Sequence, residues 1–164
     1  MNYVHHADLY TYGMDAGGIS CTEFDRLAWE ASRLVDRYTT GLDGVRKLRE
    51  AFPVDEMDAE AVRRCVCRLI LLMHQIGQAE AAGGYTSTEN GYRRNQIAAV
   101  SAGNESVTYA SGGSGSVIAS AAADRAVREQ LYANTIWAYL SGVADANGVS
   151  LLYMGCYPGG VRKC

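Results

Sequence analysis

The sequence has no apolar run near the roughly 20 residues that a membrane span requires. Its longest, Leu69 to Met73, is a piece of a helical pattern. The N-terminus, MNYVHHADLYTYGMD, has neither the basic start nor the apolar core of a secretory leader, so intracellular synthesis and reduced thiols are the expectation. Cysteine occurs five times, at Cys21, Cys65, Cys67, Cys156 and Cys164, in no recurring spacing, which argues against a disulfide framework. A basic excess is also missing. With 15 Lys and Arg against 18 Asp and Glu, a net charge of −3 and a pI near 5.6, the chain lacks the clustered cations of a sequence-independent phosphate-binding surface. Phenylalanine is nearly absent, at 2 residues against 11 Tyr. Tyrosine suits surfaces that are wet before assembly and buried after it, since the ring gives area and the hydroxyl keeps a hydrogen bond.

What is present is mainly helical. At 164 residues with 48% hydrophobic content, the chain is long enough to bury a core of its own. Residues 1–19 hold Tyr3, Tyr10, Tyr12 and three glycines without a helical period, and read as an irregular arm. Ser20-Cys21-Thr22-Glu23 then matches a capping box, in which a Ser hydroxyl and a Glu carboxylate satisfy the free N–H groups of a helix start. Phe24, Leu27, Ala28, Ala31, Leu34, Val35 and Tyr38 follow at spacings of three and four, so the first helix has one apolar stripe. Trp29 falls off that stripe, among Asp25, Arg33 and Asp36. It is expected either to lie under neighbouring charged stems or to contact another chain.

A second helix is expected from about Asp58 to Ala82, collecting Val62, Cys65, Val66, Leu69, Ile70, Met73 and Ile76 on one face. A third is expected from about Ala119 to Val143 with two apolar sides: Ala123, Val127, Leu131 and Ala138 on one, and Tyr132, Ile136, Leu140 and Val143 on the other. A helix apolar on two sides is buried on two sides. The first side is assigned to the bundle; the second, with Trp29, is assigned to a neighbouring subunit. Between the second and third helices, Ile97 to Ser111 reads as a projecting β-hairpin at about 96–111: Ile97, Val100, Val107 and Tyr109 favour strands, and Ala102-Gly103-Asn104 supplies the turn. A lone ribbon is marginal in water, so it wants a partner. The domain layout is therefore an arm at 1–19, a small bundle of three to four helices at 20–148 with the hairpin inserted, and an extended tail at 149–164.

Chemistry-bearing groups are sparse. Cys65 and Cys67 lie two apart on a helix and point about 200° away from each other, which prevents both sulfurs from binding one tetrahedral ion. Cys65 faces the core stripe and Cys67 shares the polar face with His74. His5-His6 has no evident partner ligands, and Ser111 to Ser116 lacks the ending of a phosphate-cradling loop. No cofactor is expected. The alternatives weighed against a binding protein are a small helical metal- or thiol-dependent enzyme using Cys67, His74 or Cys21, and a helical regulator with a small ligand.

Three stretches resemble the head–tail connector, or head-completion adaptor, proteins of long-tailed bacteriophages and their prophages. TEFDRLAWEASRLVDRYTTG is similar to that family's capped opening helix. SAGNESVTYAS is similar to its Ser- and Gly-containing segment ending in S-V-x-Y, and the closing L-S-G followed by LLYMG is similar to an ending that commonly reads LLYRG. Met154 departs from that pattern, standing where Arg is common. The resemblance covers most of residues 20–155. It implies a non-enzymatic helical protein in a homo-oligomeric ring, usually of twelve copies, beneath the portal protein in the virion neck, made in the host cytoplasm. The ring extends the DNA channel, lets duplex pass without specific binding, and docks the next neck, stopper or tail component. It further implies portal docking through Leu151, Leu152, Tyr153, Met154 and Tyr157, with the hairpin at ring or partner contacts. An acidic composition agrees with a lumen that must let duplex slide.

Overall fold

The computed structural model describes residues 2–15, 18–83, 85–88, 91–94, 99–102, 105–108 and 117–158. Among these the chain is mainly helical, in the order α1 (His6–Thr11), α2 (Cys21–Tyr38), α3 (Lys47–Glu50), α4 (Glu56–Gly83), β1 (Tyr85–Thr88), β2 (Gly91–Arg94), β3 (Ala99–Ala102), β4 (Glu105–Thr108), α5 (Val117–Ala123) and α6 (Arg125–Leu140). It divides into two units, residues 1–74 with 132–164, and residues 75–131.

The first unit holds the main core. Ser20 accepts from the Glu23 N–H at 3.2 Å and starts α2, and Phe24, Leu27, Ala28, Ala31 and Val35 are all buried on its inner face. The hydroxyls of Thr39 and Thr40 turn back onto the Val35 and Asp36 carbonyls and close its last turn. From α4 come Val62, Cys65, Val66, Cys67, Leu69 and Ile70, and from α6 Ile136 and Leu140. Val143 and Leu151 complete the cluster.

Residues 1–19 are not merely an irregular arm. They include α1, whose Leu9 is fully buried, and Val4 and Tyr3 are buried beside it. Six residues are fewer than two turns, too few to show a period, so burial rather than pattern makes this helix. Tyr3 donates its hydroxyl to Asp36 at 2.5 Å, and Arg49 donates to the other oxygen of the same carboxylate at 2.7 Å. Asp36, on α2, is thus a buried anion shared by the N-terminal segment and α3. Burial, and then the Asp36 carboxylate, push the Tyr3 hydroxyl well above its ordinary pKa.

The second unit holds the strands. β1 pairs antiparallel with β2, Tyr85 opposite Arg94, and β3 pairs antiparallel with β4, Val100 opposite Val107. Ile97, Tyr109, the 103–104 turn and the Ser111 to Ser116 stretch lie outside the described residues.

The single third helix read from the sequence is two, broken at Asp124. The Asp124 carboxylate accepts from the Ala126 N–H at 2.7 Å and so caps α6. Arg128 donates to the Ala121 and Ala122 carbonyls at 3.0 and 3.2 Å, closing the end of α5, and pairs with Glu80 of α4 at 2.5 Å.

Candidate functional site

The surface that stands out on the first unit is built by the last turns of α2, the outer face of α6 and the chain after it. Arg37, Tyr38, Trp137, Leu152 and Met154 line an open groove of about 350 Å³. Three of the five walls are large apolar groups, and the only cation is Arg37, whose guanidinium lies 5.7 Å from the Tyr38 ring centroid. Trp137 is 56% exposed and Met154 54%, values that matter because side chains of this size are normally covered. One face of α2 carries Trp29, Arg33 and Arg37, spaced by four. Arg33 stacks over the Trp29 ring at 4.6 Å, yet Trp29 stays about half exposed. The result is a surface of tryptophan and arginine with no acidic partner among the described residues.

The groove owes its far wall to how the C-terminal segment is held. Lys47, on α3, is fully buried, and its ammonium donates to the Ser150 and Leu151 carbonyls at 3.0 and 3.1 Å and to the Tyr153 carbonyl. Burial pulls the Lys47 pKa down, while Asp145 and Asp43 oppose the shift. Asp43 accepts from the Tyr157 and Val45 N–H groups at 2.6 and 3.2 Å, and those bonds, the Tyr157 one first, hold its carboxyl below the usual range. Asp145 folds the preceding turn by accepting from the Asn147 and Val149 N–H groups, each at 2.9 Å, and its second oxygen accepts from the Tyr157 hydroxyl at 2.7 Å. Gly41 lets the two strands of chain meet: a Cβ there would stand 2.9 Å from the Gly155 carbonyl oxygen.

Of the residues named for portal docking, Leu151 is in the core and fully buried, Leu152 is half-buried against it, and Tyr153 and Met154 face outward. Tyr157 is half-buried on Asp145. Residues 149–158 therefore belong to the folded unit rather than to a free tail, because Lys47 and Leu151 both anchor them.

The subunit-contact face also changes. Ile136 and Leu140 are fully buried in the core and Tyr132 is half-buried against it, so that stripe of α6 faces in, and Val127 is on the exposed side. A helix with two apolar sides does not declare which one is inner. Once Ile136 is inside, Trp137, one position on, must point away from it. That is the signal by which the exposed tryptophan was available in the sequence.

Cys67 is not on a polar face with His74. Both Cys65 and Cys67 are fully buried in the core, and burial pushes each thiol up to about 12, the opposite of what a reactive thiolate or ligand requires. His74 instead pairs through Nδ1 with Glu23 at 3.0 Å. His6 packs its ring edge-on against Phe24, 5.1 Å between centroids. Among the described residues no group of three or more His, Cys, Asp or Glu is placed to hold a metal ion, and no helix is long and apolar enough to cross a membrane.

No family model, curated protein or solved structure matches the chain.

Proposed function

We propose that this chain is a structural adaptor of the neck of a long-tailed bacteriophage or prophage. In this reading it is not an enzyme. It forms a ring beneath the portal, extends the DNA channel and docks the next component. The observation that carries the proposal is the exposure of the large apolar side chains Trp29, Trp137, Tyr153 and Met154, two of which line the groove. Surfaces of that kind mark contact with other proteins. The resemblance of the opening helix, the S-V-x-Y segment and the LLYMG ending supports the same reading, and Met154, the departure from that ending, is one of the groove walls.

The C-terminal residues then act as a fixed edge rather than a tail that orders on binding. Tyr153 is their outward group toward the portal, and Leu151 is the anchor beneath. The paired β3 and β4 strands are the projecting element at ring contacts or toward the next component. Because a preformed edge carries little ordering cost, docking should be direct.

Light scattering of the purified protein, with and without portal rings from the same phage, tests this. Growth of the portal particle on addition is the expected result, with Tyr153→Ala weakening it by about tenfold. A protein that ignores the portal at every concentration overturns the proposal.

A further inference from the structure

The first unit carries, besides the groove, a second exposed apolar feature of opposite charge. Val54 and Met57 are, with Leu42, the most exposed large hydrophobic side chains on it, at 83% and 79%. Between them stand Asp55 and Glu56, also exposed, and neither makes an ion pair among the described residues. Pro53 and Ala51 before this point are buried and Ala59 after it is buried, so the tip is held rigidly. One Asp55 oxygen accepts from the Met57 and Asp58 N–H groups at 3.0 and 3.2 Å and fixes the first turn of α4, which aims Met57 outward. This is an apolar knob with a carboxylate collar.

The groove is its complement. Trp137, Leu152 and Met154 are apolar walls, Arg37 lies at the rim, and Arg33 lies one turn away on the same face of α2. Neither Arg33 nor Arg37 is in an ion pair among the described residues. We propose that the occupant of the groove is a second copy of this chain, whose Val54 and Met57 seat against Trp137 and Met154 while Glu56 meets Arg37. Knob and groove are different patches, so the contact is heterologous: each copy offers its groove to one neighbour and its knob to the other. Such contacts propagate head to tail and close into a ring when the rotation allows. Tryptophan and arginine are the residues that most often dominate interface energy, and the charge pairing fixes which way the copies face. The inference rests on the ring part of the adaptor reading, and takes Leu152 and Met154 for the contact between copies, leaving Tyr153 for the portal.

The test is sedimentation velocity on the whole chain without portal, so that it stands apart from the portal-binding measurement. Wild type is expected to associate as concentration rises. Trp137→Ala, Met57→Ala, Arg37→Glu and Glu56→Arg should each weaken association by about tenfold or more, and all four sites are exposed, so circular dichroism should be unchanged. Mixing W137A with M57A should give heterodimers that grow no further, because only one intact groove and one intact knob remain per pair. The double variant R37E/E56R should regain association with its charges exchanged. A strict monomer, or association that ignores all four substitutions, overturns the proposal while leaving portal binding to decide the adaptor reading separately.

Discussion

At the scale of single residues, Lys47 sets the terms for the C-terminal segment. A buried ammonium is costly unless its protons are met, and here three carbonyls meet them. Lys47→Met should cost about 2–3 kcal/mol in denaturant titration, since charged hydrogen bonds go and the carbonyls are left dry. Lys47→Arg should not restore it, because a planar fork does not fit a site built around a compact ammonium. Asp43 gives the segment a pH dependence. Its carboxyl is held below the ordinary 3.8 by the Tyr157 and Val45 N–H groups. A depressed folded pKa stabilises fully above the unfolded value and is lost as pH falls through the folded one. In a Trp29→Phe background, Trp137 fluorescence should change as pH drops below 3.8 and the groove wall loosens, and Asp43→Asn should remove that step. Cysteine reactivity is a further check. Cys21 and Cys156 are exposed and should react with an alkylating reagent in the native protein, whereas Cys65 and Cys67 should stay unmodified until unfolding, as read by mass spectrometry.

At the scale of elements, what was legible depended on whether local pattern and burial agreed. The α2 helix was readable because a Ser20 cap precedes an unbroken stripe from Phe24 to Tyr38, and α4 because its stripe recurs from Val62 to Ile76, about four turns. The α1 helix was not, since its evidence is the burial of Leu9 by chain far away in sequence. The break at Asp124 was hidden because alanines on both sides favour helix, and only the geometry shows the Asp carboxylate closing on Ala126. Asp124→Ala should cost about 1 kcal/mol in thermal unfolding through loss of that cap. The groove was half legible: the LLYMG stretch carries two of its walls, but the inner side of α6 is decided by Ile136 and Leu140 finding the core, which periodicity cannot rank against the opposite stripe. The C-terminal segment follows the same logic. Truncation after Gly148 removes Leu151 from the core and the Lys47 acceptors together, so circular dichroism should show loss of the first unit's helices. Leu151→Ala alone should cost about 2–5 kcal/mol.

At the scale of the whole molecule, charge and exposure point the same way. A net charge of −3 spread over a surface with isolated i,i+4 pairs, Arg26 with Glu30, Arg64 with Glu60 and Arg125 with Glu129, leaves no continuous basic track among the described residues. Duplex DNA should therefore show no mobility shift with the protein even at about 50 mM salt, where phosphate contacts would be strongest. A shift would mean that a lumen built from this chain grips what it is proposed to pass. Arg33 and Arg37, two of the cations outside any ion pair among the described residues, lie beside tryptophans, Arg33 over Trp29 and Arg37 across the groove from Trp137, where protein rather than phosphate is the fitting partner.

The Lys47 ammonium reaches carbonyls 103 to 106 residues further along the chain. During synthesis, then, α1, α2 and α3 leave the ribosome well before the groups that close their core, and contacts of such long sequence separation form late. An interrupted nascent chain would hold a cation that cannot be buried and a gap where Leu151 belongs, and it would present no finished groove. A chain that ends before Tyr153 is therefore expected to stay incompletely folded and open to proteolysis, so that under the adaptor reading only completed copies would offer a groove to a neighbour.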